Sequence, residues 1–282
     1  VINFLLSEMI LNMSFPFCCP IDALTLEAQG SALRCSAGHS FDLAREGYCN
    51  LLLVQQKASL NPGDNPEMVT ARRRFLEAGY YLPMAQKLVE LSRGLDSKGI
   101  LDAGCGEGYY LGFLQKAFPN LPLAGTDISK VAIKAAAKKY KNISWAVASN
   151  KQLPFSPGSV STILSLFGFP IWESFRKTLA PGGKLLLLDP APEHLLEMRK
   201  IIYPEVKHTE LVSVEAAIQV GFSLLREEKL DFTFTLPSAA AIQDLLAMTP
   251  HGYRMSLEGR ERISKLESLS VRASVVFRVL TS

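Results

Sequence analysis

The chain has 282 residues, is 48% hydrophobic, and carries 30 Lys and Arg against 27 Asp and Glu, a formal charge of +3. That length suits about two domains, or one α/β domain with an appendage, and that apolar content excludes a disordered, collagen-like or disulfide-framework protein. The five cysteines are an odd number, which fits a reducing, cytoplasmic compartment; Cys18, Cys19, Cys35 and Cys49 fall in the first 49 residues.

Residues 1–13 (VINFLLSEMILNM) are apolar, but they contain Glu8 and lack both a basic start and a small-residue cleavage pattern. They read as an upstream extension with Met13 as a start, not as a signal peptide. No run reaches the roughly 18 apolar residues that span a bilayer, so no membrane partner is expected. Residues 15–58 are turn-rich, and AQGS at 28–31 breaks two short apolar stretches as a hairpin would. In the loop NPGDNPEM at 61–68, Asn65 before Pro66 has the form of an N-cap with proline at the first helical position. A helix follows through Phe75, Gly79 interrupts it, and a second helix covers about residues 83–93.

From Lys98 the rhythm changes. Strands at 99–103, 123–127, 143–148, 160–166 and 184–189 alternate with helices at 109–118, 130–140 and 172–179, the last closed by Ala180-Pro181-Gly182-Gly183. The leucine-rich strand 184–189 suits the middle of a parallel sheet. The alternation implies an α/β fold with a doubly wound, mostly parallel sheet. The alternating run 225–236 and the strand 271–280 read as an antiparallel hairpin on its edge.

Gly104-Cys105-Gly106-Glu107-Gly108 follows the first of these strands and opens a helix. Alternate glycines let the backbone turn sharply and approach a ligand, at the place where Rossmann-like folds seat nucleotides. The loop is one residue shorter than the dinucleotide pattern, which suits a cofactor with no pyrophosphate. Asp127 ends the second strand, where a carboxylate can accept from both ribose hydroxyls. Asp102–Gly108, Asp127 and Leu153-Pro154-Phe155 together resemble the class I S-adenosylmethionine-dependent methyltransferases. A glycine turn that binds nothing and a dinucleotide site are the alternatives.

Cys19 and Asp22 have the gap of a metal knuckle, and Cys35 and His39 suit two ligands on one tight turn. The layout is that of a zinc ribbon with aspartate where a second thiolate is usual; carboxylate oxygen ligates zinc, though more weakly than thiolate, so a structural set of Cys19, Asp22, Cys35 and His39 is chemically possible. A knuckle that folds without metal, with Asp22 capping a turn, is the alternative.

A more specific likeness rests on Cys19-Pro20, Cys35-x3-His39 and the run Phe41-Asp42-x-Ala44-x-Glu46-Gly47-Tyr48-x-Asn50-Leu51-Leu52. It continues through Pro62-Gly63-Asp64, Ala71-Arg72-Arg73, Phe75-Leu76-x-Ala78-Gly79, Asp102–Tyr110, Asp127–Lys138 and Met248-Thr249-Pro250. These residues resemble the bacterial large-subunit (23S) ribosomal RNA guanine-N1 methyltransferases over nearly the whole chain. The resemblance implies a zinc-ribbon-like RNA-recognition module at 13–58, a helical linker at 59–95 and a methyltransferase domain at 96–282. It further implies a homodimer that methylates N1 of a guanine in an rRNA hairpin. S-adenosylmethionine contacts would fall on Tyr81, Asp102, Gly104, Gly106, Glu107, Gly108, Tyr109, Tyr110, Asp127 and His194. Two departures stand out: Asp22 occupies a ligand-cysteine position, and residues 56–61 (QKASLN) carry only Lys57 where relatives are expected to be more basic.

Lys130, Lys134, Lys138 and Lys141 share one helix face and read as solvated, whereas Arg72-Arg73-Arg74 beside the ribbon read as RNA contacts. Arg272 and Arg278 read as solvating an edge strand. Phe167, Phe169 and Trp172 follow the fourth strand, where they either stack a flipped guanine or pack the sheet against a helix. SLFGFP at 165–170 lacks the Asn/Asp-Pro-Pro-aromatic motif of exocyclic-amine methyltransferases, and no cysteine there supports a covalent carbon-5 mechanism. No general base is identifiable. A small-molecule methyltransferase and a catalytically silent cofactor-binding assembly protein remain the alternative functions.

Overall fold

The computed structural model describes residues 15–56, 62–93, 95, 97–207 and 210–282. The start at Met13 and the Lys57 stretch at 57–61 therefore lie outside the described residues. The N-terminal part is a three-stranded antiparallel meander of β1 (Glu27–Gln29), β2 (Ala32–Arg34) and β3 (Ser40–Asp42). Gly30 turns β1 into β2 at φ +62°, within the AQGS break. The next strand, β4 (Tyr48–Asn50), leaves this meander and joins the main sheet.

The main sheet adds β5 (Ile100–Ala103), β6 (Leu123–Asp127), β7 (Ser144–Val147), β8 (Val160–Leu166), β9 (Leu179–Pro190), β10 (Ser223–Leu236) and β11 (Leu269–Thr281). Its order is β10-β11-β9-β8-β5-β6-β7-β4. The strands from β4 to β9 are parallel, and β11 and β10 close the far edge antiparallel. Two helices precede β5, α1 (Pro66–Glu77) and α2 (Leu82–Arg93). Asn65 caps α1 as its sequence implies, its side chain accepting from the Met68 N–H. The crossovers are α3 (Tyr109–Ala117), α4 (Lys130–Lys139) and α5 (Trp172–Thr178), with α6 (Leu196–Ile202) and α7 (Glu215–Gln219) after β9.

One expectation changes at the C-terminal half. Residues 180–183 do not separate helix from strand: β9 already begins at Leu179, and the extra residues shift its register against β8 between Val160 and Thr162. Pro181 cannot donate to a ladder, and Gly182 takes φ +72°, so the segment is accommodated as an irregular, solvent-side stretch of strand. The β10–β11 pair is antiparallel and at the edge as expected, and three helices join its strands. They are α8 (Ala239–Ala247), α9 (His251–Arg254) and α10 (Leu257–Ser264). Leu236 is fully buried opposite Leu269, so the chain leaves the sheet from the core and not at an exposed turn.

The ribbon is not a separate body. Phe15, Phe17, Cys19, Leu26, Leu33, Cys35 and Leu51 share one apolar cluster with Phe155, Phe175, Leu185 and Leu187 from one face of the main sheet. Phe155 packs against both Phe15 and Phe17, with ring centroids 5.9 and 5.4 Å away. The Cys18 N–H donates to the Pro154 carbonyl at 2.8 Å, and Gln152 Nε2 donates to the Pro20 carbonyl at 2.9 Å.

Candidate cofactor cleft and metal centre

β5 delivers the chain into the glycine loop at the point where strand order reverses, with β6 on one side and β8 on the other. Open α/β sheets bind ligands in the crevice at such a switch point. Gly104, Gly106 and Gly108 stand at φ +101°, +55° and +78°. A residue with a Cβ adopts that region at a cost of about 1–2 kcal/mol. A Cβ on Gly108 would stand 2.5 Å from the Trp145 ring, and one on Gly106 would stand 3.1 Å from Arg72 Nη2. On Gly104 it would meet only Asn150 Nδ2 at 3.9 Å, so the backbone there is open to a ligand. Gly108 is also the N-cap of α3 and supplies no side-chain acceptor, which leaves first-turn N–H groups available.

Asp127 holds the other side of the loop. Its two oxygens accept from the Gly106 N–H at 2.9 Å and the Ser129 N–H at 2.8 Å. A carboxylate offers about four lone-pair positions, so each oxygen keeps capacity for a ligand hydroxyl. Burial pushes this carboxyl up, against the backbone donors and Arg72, which pull it down. Asp102 is 1% exposed, and burial followed by repulsion from Asp127 raises it to about 8. Its Oδ1 is buried with no hydrogen-bond partner among the described residues. A partnerless buried carboxyl oxygen and an open glycine backbone fit a cofactor with a ribose and a polar amino-acid end.

Arg72 ties this site to α1. Its Nε donates to Glu107 at 2.7 Å and its Nη1 to Asp64, while the Asp64 carbonyl accepts from Ser129 Oγ at 2.7 Å. Two of the three guanidinium nitrogens are therefore engaged inside the molecule, and Nη2 is buried with no hydrogen-bond partner among the described residues. Arg74 is engaged as well, in a bidentate pair with Asp244 of α8. Of the three arginines read as RNA contacts, Arg73 alone keeps a free exposed side chain among the described residues. Arg278 is corrected too: it is 4% exposed, and it donates to Glu227 at 2.7 Å, Asp189 at 3.4 Å and the Val212 carbonyl at 2.8 Å. Alternation along β11 gave the expectation of a solvated arginine, but β11 is an interior strand, covered by β10 on its outer side.

Tyr81, His194 and Phe167 meet above the cleft. The Ser274 N–H donates to His194 Nδ1 at 3.2 Å, which leaves the proton on Nε2, and Nε2 donates to the Tyr81 hydroxyl at 3.2 Å. Burial lowers His194 to about 4, so the imidazole is neutral near pH 7. The Tyr81 hydroxyl thus keeps its own proton to donate elsewhere. Phe167, in the left-handed region at φ +55°, lies roughly parallel to Tyr81 with centroids 6.1 Å apart. Phe169 is 89% exposed, whereas Trp172 packs on Phe222 away from the cleft. Tyr109 and Tyr110 are buried, and Tyr110 directs its hydroxyl to the Met84 sulfur. What Tyr110 offers a ligand is backbone at the start of α3.

The four ribbon residues converge. One donor atom from each of Cys19, Asp22, Cys35 and His39 lies within 4.8 Å of all the others. Asp22 Oδ2 and His39 Nδ1 are 2.8 Å apart, Cys35 Sγ and His39 Nδ1 3.4 Å, and Cys19 Sγ and His39 Nδ1 3.6 Å. Tetrahedral zinc with ordinary bond lengths sets its ligands roughly 3.3–3.8 Å apart; the two sulfur–imidazole distances fall in that range, whereas Asp22 and His39 are in direct hydrogen-bond contact and would have to part by about half an ångström to share an ion. The Leu24 N–H donates to the other Asp22 oxygen at 3.0 Å, which lowers the carboxyl and aims Oδ2 inward. Each knuckle closes on a left-handed residue, Ala23 or Gly38.

Comparison with known proteins decides the family. The zinc-ribbon family described as "RlmA, N-terminal" matches residues 17–60, and the "Methyltransferase domain" family matches residues 100–183. The 23S rRNA (guanine(748)-N(1))-methyltransferase of Streptomyces fradiae is 30% identical over 269 residues, covering 93% of this chain and 95% of its own. The chain belongs to the 23S rRNA guanine-N1 methyltransferase family. YxjB of Bacillus subtilis (strain 168), whose name carries the rRNA guanine-N1 activity provisionally, is also 30% identical, over 92% of this chain and 94% of its own. Among solved structures, the YcgJ protein of Bacillus subtilis covers 70% of this chain and 97% of its own, at TM-score 0.45 and 14% identity.

Within this methyltransferase, every sequence-derived site residue from Asp102 to Asp127 falls on one rim of the sheet, and Tyr81 and His194 meet beside Phe167. The sequence reading missed Asp64 and Arg72 as loop supports. Asp64 lies in the NPGDN loop eight residues before Arg72, but Glu67 is closer in sequence, so spacing alone does not select the partner. Among the described residues, no helix is long and apolar enough to cross a membrane.

Proposed function

We propose that the protein transfers a methyl group to N1 of a guanine in a hairpin of large-subunit ribosomal RNA. The observation that carries this reading is the end-to-end match to the Streptomyces fradiae enzyme, which spans ribbon, linker and catalytic domain together. A relative with a different named activity, the malonyl-[acyl-carrier protein] O-methyltransferase of Hahella chejuensis, matches only 44% of the chain.

When bound, S-adenosylmethionine supplies the activated methyl group. The protein's own part is positional. Asp127 would accept from the ribose hydroxyls, the open backbone of Gly104 would let the cofactor lie close to β5, and the Tyr81 hydroxyl would donate to a cofactor acceptor. Gly106, Glu107, Gly108 and the Tyr109–Tyr110 backbone would complete the loop. Asp102 would receive the polar amino-acid end, its burial excluding water from that contact. Phe167 and Phe169, on the β8 side of the switch point, would stack the extruded base; Trp172 takes the packing role. Residues 13–58 would read the RNA with zinc held by Cys19, Asp22, Cys35 and His39, residues 59–95 would link, and residues 96–282 would catalyse. The working form is a cytoplasmic homodimer.

Incubation with methyl-labelled donor and 23S rRNA tests the assignment. Label in RNA is expected, and label only in small molecules, or cofactor binding without transfer, would overturn it.

A further inference from the structure

Between α1 and α4 lies a cleft of about 390 Å³ that none of the roles above uses. Arg73 and Glu77 line it from α1; Lys134, Lys138 and Lys139 line it from α4. Glu107 of the glycine loop also lines it, so the cleft adjoins the cofactor site. Each of its carboxylates holds a cation: Glu107 Oε2 accepts from Arg72 at 2.7 Å, with Oε1 buried and without a hydrogen-bond partner among the described residues, and Glu77 pairs with Lys139 at 2.6 Å. Arg73 and Lys138 are exposed and have no carboxylate partner among the described residues. Clustered, un-neutralised cations repel one another and concentrate anions in a concave site.

The row also reaches the ribbon. Lys134 Nζ is 3.5 Å from a Glu46 oxygen, and Lys141 Nζ donates to the Glu46 carbonyl at 3.4 Å. The cationic face therefore runs from the ribbon turn at Glu46 to the cofactor loop at Glu107. A solvated lysine face needs no such continuity, nor an arginine from a second helix facing it across a cleft.

We propose that this cleft docks phosphates of the RNA backbone, with Arg73 and Lys138 as its principal contacts. The proposal rests on the rRNA assignment and adds a second contact surface beyond the ribbon. Phosphate contacts give affinity and salt dependence without reading sequence.

The test compares wild type with Arg73→Glu/Lys138→Glu, using a 23S rRNA hairpin fragment titrated across salt concentrations. The variant should bind RNA about tenfold or more weakly, with a slope of log K against log salt shallower by about 1–2. Its S-adenosylmethionine affinity and melting temperature should match wild type. The neutral variant Arg73→Gln/Lys138→Gln should show the same slope change with a smaller loss, which covers any folding defect of the charge reversal. RNA affinity and slope equal to wild type in both variants would overturn the cleft while leaving the rRNA assignment intact. A parallel loss of cofactor affinity would assign the cations to the cofactor instead. Failure of wild type to bind the rRNA would overturn the function and the cleft together.

Discussion

Asp127 and Asp102 are two buried carboxyls on adjacent strands, and their surroundings give them different work. Asp127 is held by two backbone donors with lone pairs to spare, and Asp127→Ala should abolish measurable S-adenosylmethionine binding by calorimetry; retained affinity would remove it from the site. Asp102 is raised from 3.8 to about 8 by burial first and Asp127 second. The native state therefore holds this proton where the unfolded chain has lost it, and stability falls as pH rises from about 4 to about 8. Asp189, raised to about 6, adds the same sign at lower pH, and His194, lowered to about 4, adds the opposite. Of these three groups, Asp102 alone changes protonation in the upper window, about pH 7–8. Asp102→Asn should flatten the melting temperature there in cofactor-free protein; an unchanged slope would contradict the assignment. The glycine loop and Asp127 were legible in the sequence because their chemistry is written in local spacing. Arg72 was not, because one of its carboxylates lies 35 residues away, and the partner of Arg74 lies 170 away.

At the scale of elements, two contacts decide how the rim is built. Gly108 must turn β5 into α3 under the Trp145 ring, so Gly108→Ala meets both a left-handed φ and a 2.5 Å overlap. It should cost about 2–4 kcal/mol in denaturant unfolding. The second contact is Arg278, which joins β11 to Asp189 of β9 in a buried pair and to the exposed Glu227 of β10. Arg278→Leu strands Asp189 in the core and should cost about 3 kcal/mol, with Asp189→Asn recovering part of it in a double-mutant cycle. The strands themselves were legible, since β5, β6 and β8 follow the apolar runs closely. The interior position of β11 was not, because period-two alternation does not tell a strand with one neighbour from a strand with two.

For the whole molecule, the ribbon and the catalytic body share one core, so metal and fold are coupled. One equivalent of zinc per chain is expected by elemental analysis, and Asp22→Ala should lower both zinc content and melting temperature. Less than about a tenth of an equivalent would show that the four residues close the knuckles without metal. Leu153-Pro154-Phe155, a catalytic-domain motif by sequence, proves to be where the ribbon docks, through Phe155 and the Pro154 carbonyl. Its dual use follows from long-range packing that no local pattern records. The central claim is guanine-N1 methylation of large-subunit RNA, and primer extension tests it most directly, because a methyl on N1 blocks base pairing. After incubation of 23S rRNA with the protein and methyl donor, reverse transcription should stop at a single guanine in a hairpin, with no stop for Asp127→Ala. Full-length extension despite confirmed cofactor binding, or a stop at a base other than guanine, would contradict it.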